Sequence, residues 1–396
     1  MKAWKLAPLA AALVSAQSFA VEPIGVALGS GFTFLPSVET SIESNDNIYS
    51  SKEGGEVSST ITRLKPSFSL KGDVGSLQLN TTYKLDQGTY SKASKDDYLD
   101  QNLTFGGDYE LSARHQLDLD VDYKVGHDAA GSAKGGETTS NPEAAPDENN
   151  ITTLGLVYTF GGESANVNVN LIAESYQKRY DNHEDVTKER EHDKTKVAAQ
   201  LVFTVSPATS VNVEFRNTGI SYVSAAATKA EGNEKKLLLG SSWDITGATT
   251  GEFKLGASNR TFDLAGKDSN SSLVWEGNVS WEPLSYSKLV VSTSKASNET
   301  AGEGSYIDAE TTSVTWDHEF SYLLSASVKA SYGEDVYIDS DVDRVDVNTG
   351  YGVKAVYAPL SWMDVTASWD FTKRNSTTAT LDTDKNIFNL GVTLAL

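Results

Sequence analysis

Gln116-Leu117-Asp118-Leu119-Asp120-Val121-Asp122-Tyr123-Lys124-Val125 is the stretch that decides the fold. Apolar and polar residues alternate without a break. On a helix this order would scatter both classes around the whole cylinder. On a strand it puts Leu117, Leu119, Val121, Tyr123 and Val125 on one face and Gln116, Asp118, Asp120, Asp122 and Lys124 on the other. The same period recurs in both directions along the chain. Leu77, Leu79, Tyr83 and Leu85 alternate with Gln78, Asn80, Thr82, Lys84 and Asp86. Val167, Val169, Leu171 and Ala173 alternate with asparagines, and Val211, Val213 and Phe215 with Asn212, Glu214 and Arg216.

About eighteen such segments can be read, each long enough to cross a bilayer at a tilt. They fall at 32–42, 57–71, 76–90, 98–111, 116–127, 150–160, 166–180, 194–205, 210–222, 234–245, 251–262, 271–282, 287–297, 308–320, 324–337, 344–357, 364–374 and 385–396. Their connections alternate in length. Asp73–Gly75, Ser112–His115, Gly161–Ala165, Ser206–Thr209, Thr246–Thr250, Pro283–Tyr286, Ser321–Leu323 and Ala358–Met363 are short. Glu43–Glu56, Asp128–Asn149, Asp181–Asp193, Val223–Asn233 and Asn375–Asp384 are long and more charged, with Ser91–Asp97 and Asp263–Asn270 only moderately longer than the turns. A sandwich has no reason to alternate loop lengths, and a solenoid should show a fixed repeat, which is missing. The expected fold is therefore all-β: a transmembrane antiparallel β-barrel of the outer-membrane type.

Composition narrows the function. The 396 residues carry a formal charge of −21 and no cysteine. Acidity argues against nucleic-acid binding, and the missing thiols exclude disulfides, thiolate metal sites, a cysteine nucleophile and a lipoprotein anchor. Met1-Lys2-Ala3-Trp4-Lys5, the apolar run Leu6–Ala16 and Ser18-Phe19-Ala20 form a basic start, a hydrophobic stretch and a small-residue cleavage site. Residues 1–20 are thus expected to be a signal peptide and 21–396 the barrel, bound for the outer membrane of a Gram-negative bacterium. Downstream the longest uncharged run, Pro23–Val38, is broken by glycines and Pro36, so any membrane crossing must use strands.

Aromatics suggest two belts. Tyr109, Tyr158, Trp243, Trp281, Trp316 and Tyr357 sit near the short turns; Tyr90, Tyr176, Tyr222, Phe262, Tyr332 and Phe371 sit near the long loops. Phe388, Leu390, Val392, Leu394 and Leu396 form an apolar stripe like the assembly signal of such barrels, with Leu396 in place of the usual terminal aromatic.

Asn45-Asp46-Asn47-Ile48-Tyr49, Leu64-Lys65-Pro66-Ser67-Phe68-Ser69-Leu70, Tyr83, Tyr90, Tyr98 with Asp100, Tyr109-Glu110-Leu111-Ser112-Ala113-Arg114-His115, Leu117, Leu119, Tyr123 and Gly126-His127-Asp128 resemble the putative β-barrel porin 2 family over residues 40–130. That family includes barrels encoded with capsule and exopolysaccharide systems. The resemblance implies a passive exit for secreted polysaccharide, working with a periplasmic polysaccharide export protein. A barrel of this kind would also meet outer-membrane lipid, lipopolysaccharide and the barrel assembly machinery.

Lumen-facing candidates come from the polar register. Asp100, Asp108 and Glu110 lie beside Asp118, Asp120 and Asp122; Asp86, Glu214, Glu252, Glu276, Asp317, Asp346 and Asp370 add acid, while Lys84, Lys124, Arg216, Lys254, Lys329 and Lys354 add base. Such a wall should favour cations over small anions. The polar register shows no aromatic slide. No Ser or Thr, His and orienting group can be matched as a catalytic set, so no enzyme activity is expected. His183-Glu184-Asp185, Glu189-Arg190-Glu191-His192-Asp193 and Asp339-Ser340-Asp341-Val342-Asp343 have metal-like spacing but read as ordinary charged loops. No cofactor is expected. The leading expectation is the polysaccharide conduit. The alternatives are a general or cation-preferring solute porin and a plugged structural or adhesion barrel.

Overall fold

The computed structural model describes residues 25–128, 145–162, 165–224, 231–245, 247–264, 267–300 and 303–396. The expected signal peptide lies outside the described residues, as do most of the Asp128–Asn149 and Val223–Asn233 links and parts of Gly161–Ala165, Thr246–Thr250 and Asp263–Asn270.

A short β1 (Val26–Gly29) precedes β2 (Phe32–Asn45), β3 (Ser59–Val74), β4 (Leu77–Tyr90), β5 (Tyr98–Ser112), β6 (His115–Asp128), β7 (Asp147–Phe160), β8 (Val167–Tyr180), β9 (His192–Ser206) and β10 (Thr209–Tyr222). There follow β11 (Gly232–Ile245), β12 (Thr249–Phe262), β13 (Asn270–Leu284), β14 (Ser287–Asn298), β15 (Tyr306–Ser321), β16 (Leu324–Ile338), β17 (Val345–Leu360), β18 (Met363–Ser376) and β19 (Thr383–Ala395). Each of β2 to β18 pairs antiparallel with its successor, and β19 returns to β2 from Ile387↔Asn45 to Ala395↔Ser37. The sheet is thus a closed barrel of eighteen strands, in which every strand is paired on both sides within the wall. Each expected segment has its strand, and the largest shifts at an end are of the size from 42 to Asn45. The alternation did not foresee β1. It pairs with Phe32–Phe34 of β2, on the edge that β19 vacates, and Gly25 N–H donates to the Leu396 carbonyl at 3.0 Å.

The turns at one end are tight: Gly75-Ser76, Ala113-Arg114, Pro207-Ala208, Ser285-Tyr286, Tyr322-Leu323 and Ser361-Trp362 each join two strands. Gly75, at φ 65°, takes a left-handed conformation that a side chain would strain.

The two faces differ in kind. Leu119 is 40% and Tyr123 42% exposed on the outside of β6, and Leu103, Leu154, Leu171, Leu201, Phe215, Leu239, Leu255, Val353 and Leu390 continue the apolar band. A contiguous greasy surface of this extent does not suit water; it suits lipid. The belt near the tight turns faces outward as expected, with Tyr109, Trp281, Trp316 and Tyr357 exposed. The second belt needs correction. Tyr332 and Phe371 are outward, but Tyr90, Tyr176, Tyr222 and Phe262 share a register with Asp86, Lys178, Arg216 and Arg260 and face the interior. Height along the strand placed them in a belt; odd or even position decides the face.

Two hairpins leave the wall near the long loops. The β13–β14 ladder stops at Trp275↔Lys295, whereas β14–β15 runs on to Asn298↔Ile307. Above that break Ser297, on the register of outward Val291, donates to Glu234 on the inner face of β11 at 2.8 Å. This contact passes over β12 and β13, so the β14–β15 tip lies inside the barrel. Likewise β5–β6 stops at Gln101↔Val125 while β6–β7 continues to Asp128↔Asp147. His127, on the register of outward Tyr123, then meets Asp100 at 2.8 Å and lies 4.3 Å from the Tyr98 ring, both inside.

Candidate functional site: the bore and its mouth

The inner face of the wall has three zones. The first is acidic and lies on β5 and β6. Asp108 is opposite Asp118, Gly106 opposite Asp120, Thr104 opposite Asp122 and Asn102 opposite Lys124. Glu110 and Asp100 complete the strip, and Lys84 faces Asn102 from β4. Asp120 is exposed because glycines flank it on both sides: Gly106 on β5 and Gly155 on β7. Gln116 donates to Asp118 at 2.8 Å and Asn102 to Asp122 at 3.0 Å. Among the described residues no lysine or arginine forms an ion pair with Asp118, Asp122 or Glu110. Amides orient these carboxylates without cancelling their charge.

The second zone, on β10 to β13, is an ion-paired lattice. Arg216 reaches Glu214 and Glu276, each at 2.7 Å, so it bridges β10 to β13. Lys254 holds Glu214 and Glu252, each at 3.1 Å. Leu238 and Val274 also point inward here, on either side of Gly256, and are 0% and 1% exposed. The long charged side chains lie over them, stems on the apolar floor and charges paired with one another. Asp86, Asp317, Asp346, Asp370, Lys329 and Lys354 also occupy inner-register positions, spread around the barrel; Lys329 meets Asp370 at 2.6 Å.

The third zone is the mouth, between the two inward hairpins. Asp128 at the end of β6 accepts from Lys178 at 3.0 Å and Tyr180 at 2.7 Å. Glu299, beyond β14, is met by Arg260 of β12 through both terminal nitrogens, at 3.1 and 2.9 Å, by Lys194 of β9 at 3.3 Å, and by the Tyr222 hydroxyl. Burial alone would raise the Glu299 pKa; Lys194 and Arg260 more than offset it and hold the carboxylate well below its usual range. Tyr176, His192 and Tyr222 form a row of neighbouring rings along the β8–β10 wall. Sequence reading named Tyr176 and Tyr222 but put them outside, and it missed Glu299, Lys194 and Arg260. Their polar register was legible, but the strand-crossing contacts were not.

The metal-like loops are otherwise engaged. His183 meets Asp147, which also holds Arg190 at 2.9 Å; His192 Nδ1 lies 2.8 Å from the Arg190 carbonyl; Asp339 takes the Ser305 hydroxyl and pairs with Lys267. Among the described residues no group of three or more His, Asp or Glu is placed to hold a metal ion.

Comparison with known proteins agrees with the barrel. No curated protein matches the sequence. Among solved structures, OccAB2 of Acinetobacter baumannii is similar at 11% identity and a TM-score of 0.50, over 93% of this chain and 99% of that one. OpdK of Pseudomonas aeruginosa, solved with vanillate, is similar at 11% identity and a TM-score of 0.48, over 92% and 98%. The FrpB iron transporter of Neisseria meningitidis gives 12% identity and a TM-score of 0.46; the aligned part is 86% of this chain and 62% of FrpB. At such identities the likeness concerns the fold alone. The model of the family described as Putative beta-barrel porin 2 matches residues 20–396, and the chain belongs to that family of outer-membrane β-barrel porins.

Proposed function

We propose that this porin is a diffusion channel for small hydrophilic solutes with a preference for cations, and that it is not an enzyme. The observation that supports this reading best is the β5–β6 strip, where amides instead of cations reach Asp118 and Asp122. Asp100, Asp108, Glu110 and Asp120 share that face, and across the bore β14 and β15 present neutral Ser292, Ser294, Ser313 and Thr315. A negative field on one side and hydroxyls on the other raises local cation concentration without a tight binding step. Passage is passive, driven by the solute gradient through a hydrated interior. The leader of residues 1–20 would direct the chain to the envelope, the barrel assembly machinery would insert it, and its apolar band would sit against lipid and lipopolysaccharide. Reversal potentials in planar bilayers under a potassium chloride gradient test the reading: cation selectivity is expected, and anion selectivity would reject it.

A second reading keeps the polysaccharide conduit with a periplasmic export partner. The inward-facing Tyr90, Tyr98, Tyr176 and Tyr222 favour it, because phenol rings suit sugar faces. Against it stand the two hairpins, which narrow the mouth through which a polymer would leave. Deleting the gene and measuring surface polymer separates the two: unchanged export leaves the solute porin, and lost export favours the conduit.

A further inference from the structure

We infer that Arg260, Lys194 and Tyr222 form a carboxylate-binding cradle which the chain occupies with its own Glu299, and that a small organic carboxylate entering from the loop side displaces Glu299 and frees the β14–β15 tip. The inference rests on the reading of the barrel as a conducting porin.

The cradle belongs to the wall and its occupant does not. Lys194, Tyr222 and Arg260 come from β9, β10 and β12, whereas Glu299 arrives on a tip that has left the wall above Lys295. Arg260 presents its guanidinium fork to both carboxylate oxygens, the arrangement that distinguishes a carboxylate from a single acceptor. It is 2% exposed, and its plane lies 4.6 Å from the Tyr306 ring centre. Arg260 Nε is also buried and has no hydrogen-bond partner among the described residues. This donor lies outside the Nη1–Nη2 edge that Glu299 takes, so an untethered carboxylate can use it together with Nη2 once the tip has left. Although the chain carries −21, the cradle itself becomes cationic when Glu299 leaves, because Lys194 and Arg260 then lose their shared carboxylate while Lys178 and Lys196 beside them stay paired with Asp128 and Glu174. An anion is drawn to the mouth there and meets the acidic β5–β6 strip only deeper in the bore, so it acts as an opener while cations remain the favoured current.

Displacement follows from linkage. A carboxylate that binds only when Glu299 has left shifts the population toward the released tip in proportion to its concentration over its dissociation constant. A tethered group competes at an effective concentration of roughly millimolar or above, so millimolar ligand is needed. Ser297 adds a second attachment, its hydroxyl donating to the Glu234 carboxylate, that gives way with the tip.

The full chain in planar bilayers tests this with sodium galacturonate and its neutral twin galactose, sodium chloride holding ionic strength constant. About 10 mM galacturonate should raise single-channel conductance about twofold, and galactose should leave it unchanged. Glu299→Gln should conduct at the raised level from the start and respond to neither. A second variant guards against a misfolded Glu299→Gln. Ser258 and Ser297 both donate to Glu234 Oε1, and the native chain has no cysteine, so Ser258→Cys with Ser297→Cys can staple the tip to the wall. Oxidised, it should lose the galacturonate response; reduced, it should regain it. Equal responses to both sugars, or a response that survives the staple, would overturn the proposal. A wild-type chain that conducts cations but ignores galacturonate would overturn the cradle and leave the porin reading intact. No conductance in the wild type, Glu299→Gln or the reduced pair would overturn both.

Discussion

The β5–β6 and β10–β13 walls hold the same kinds of residue and use them in opposite ways. On β10–β13, Glu214, Glu252 and Glu276 are each ion-paired to Arg216 or Lys254, which leaves one net negative charge over a buried Leu238 and Val274. On β5–β6, Asp118 and Asp122 are steadied by Gln116 and Asn102, which leave the charge intact. Counting acids on the polar register makes the two walls look alike. What separates them is which neighbour reaches the carboxylate: a cation turns it into a structural tie, an amide leaves it a source of field.

The strongest way to break this contrast is Arg216→Ala. It leaves Glu214 and Glu276 without their shared guanidinium, and removing one partner of a buried pair costs about 3–5 kcal/mol. The unfolding midpoint in urea should fall sharply, and an unchanged midpoint would show that the lattice ties nothing together. Next comes the sidedness of β6. Leu119→Arg puts a charge against acyl chains at a cost of about 2–4 kcal/mol, while Asp120→Arg, on the bore side between two glycines, should cost less. Equal losses for the two variants would mean that the face assignment fails. A smaller effect, on selectivity and not on stability, is expected from Asp118→Asn with Asp120→Asn and Asp122→Asn. The unfolding free energy should stay within about 0.5 kcal/mol, and the cation-to-anion permeability ratio should drop about twofold or more. The smallest effect concerns pH. Because Lys194 and Arg260 hold Glu299 below its ordinary value, its contribution is complete above the unfolded carboxylate range and is lost only as pH falls through the lowered native value. Mouth conductance should therefore match between about pH 5 and pH 7. A step in that interval that Glu299→Gln abolishes would mean that Glu299 is not ion-paired.

The barrel was legible because its signal is carried by every strand. Strict alternation from Gln116 to Val125 fixes faces, and the alternating loop lengths fix which end is which. The mouth was harder to read. Tyr90, Tyr176, Tyr222 and Phe262 were assigned by distance from the turns, although their even positions already put them with Asp86, Lys178, Arg216 and Arg260. The inward hairpins leave only a faint trace: the face of β14 and β15 that carries Leu289, Val291, Val314 and Trp316 turns polar from Thr293 and Thr312 toward the tip. Alternation assumes that each strand pairs with both neighbours along its whole length. Where a ladder stops early, as at Trp275↔Lys295, outside and inside exchange, and a change of polarity along one face does not by itself report where.

The seam between β2 and β19 constrains how this molecule can be made. The rung from Asn45 to Ile387 joins residues from nearly opposite ends of the polypeptide, so the earliest strand waits for the latest before its hydrogen bonds are complete. Until then its free edge can recruit other chains. A product that terminates ahead of Thr383 would not be a narrower pore. It would be an unsealed sheet with two reactive margins, a substrate for envelope proteases instead of a functional unit.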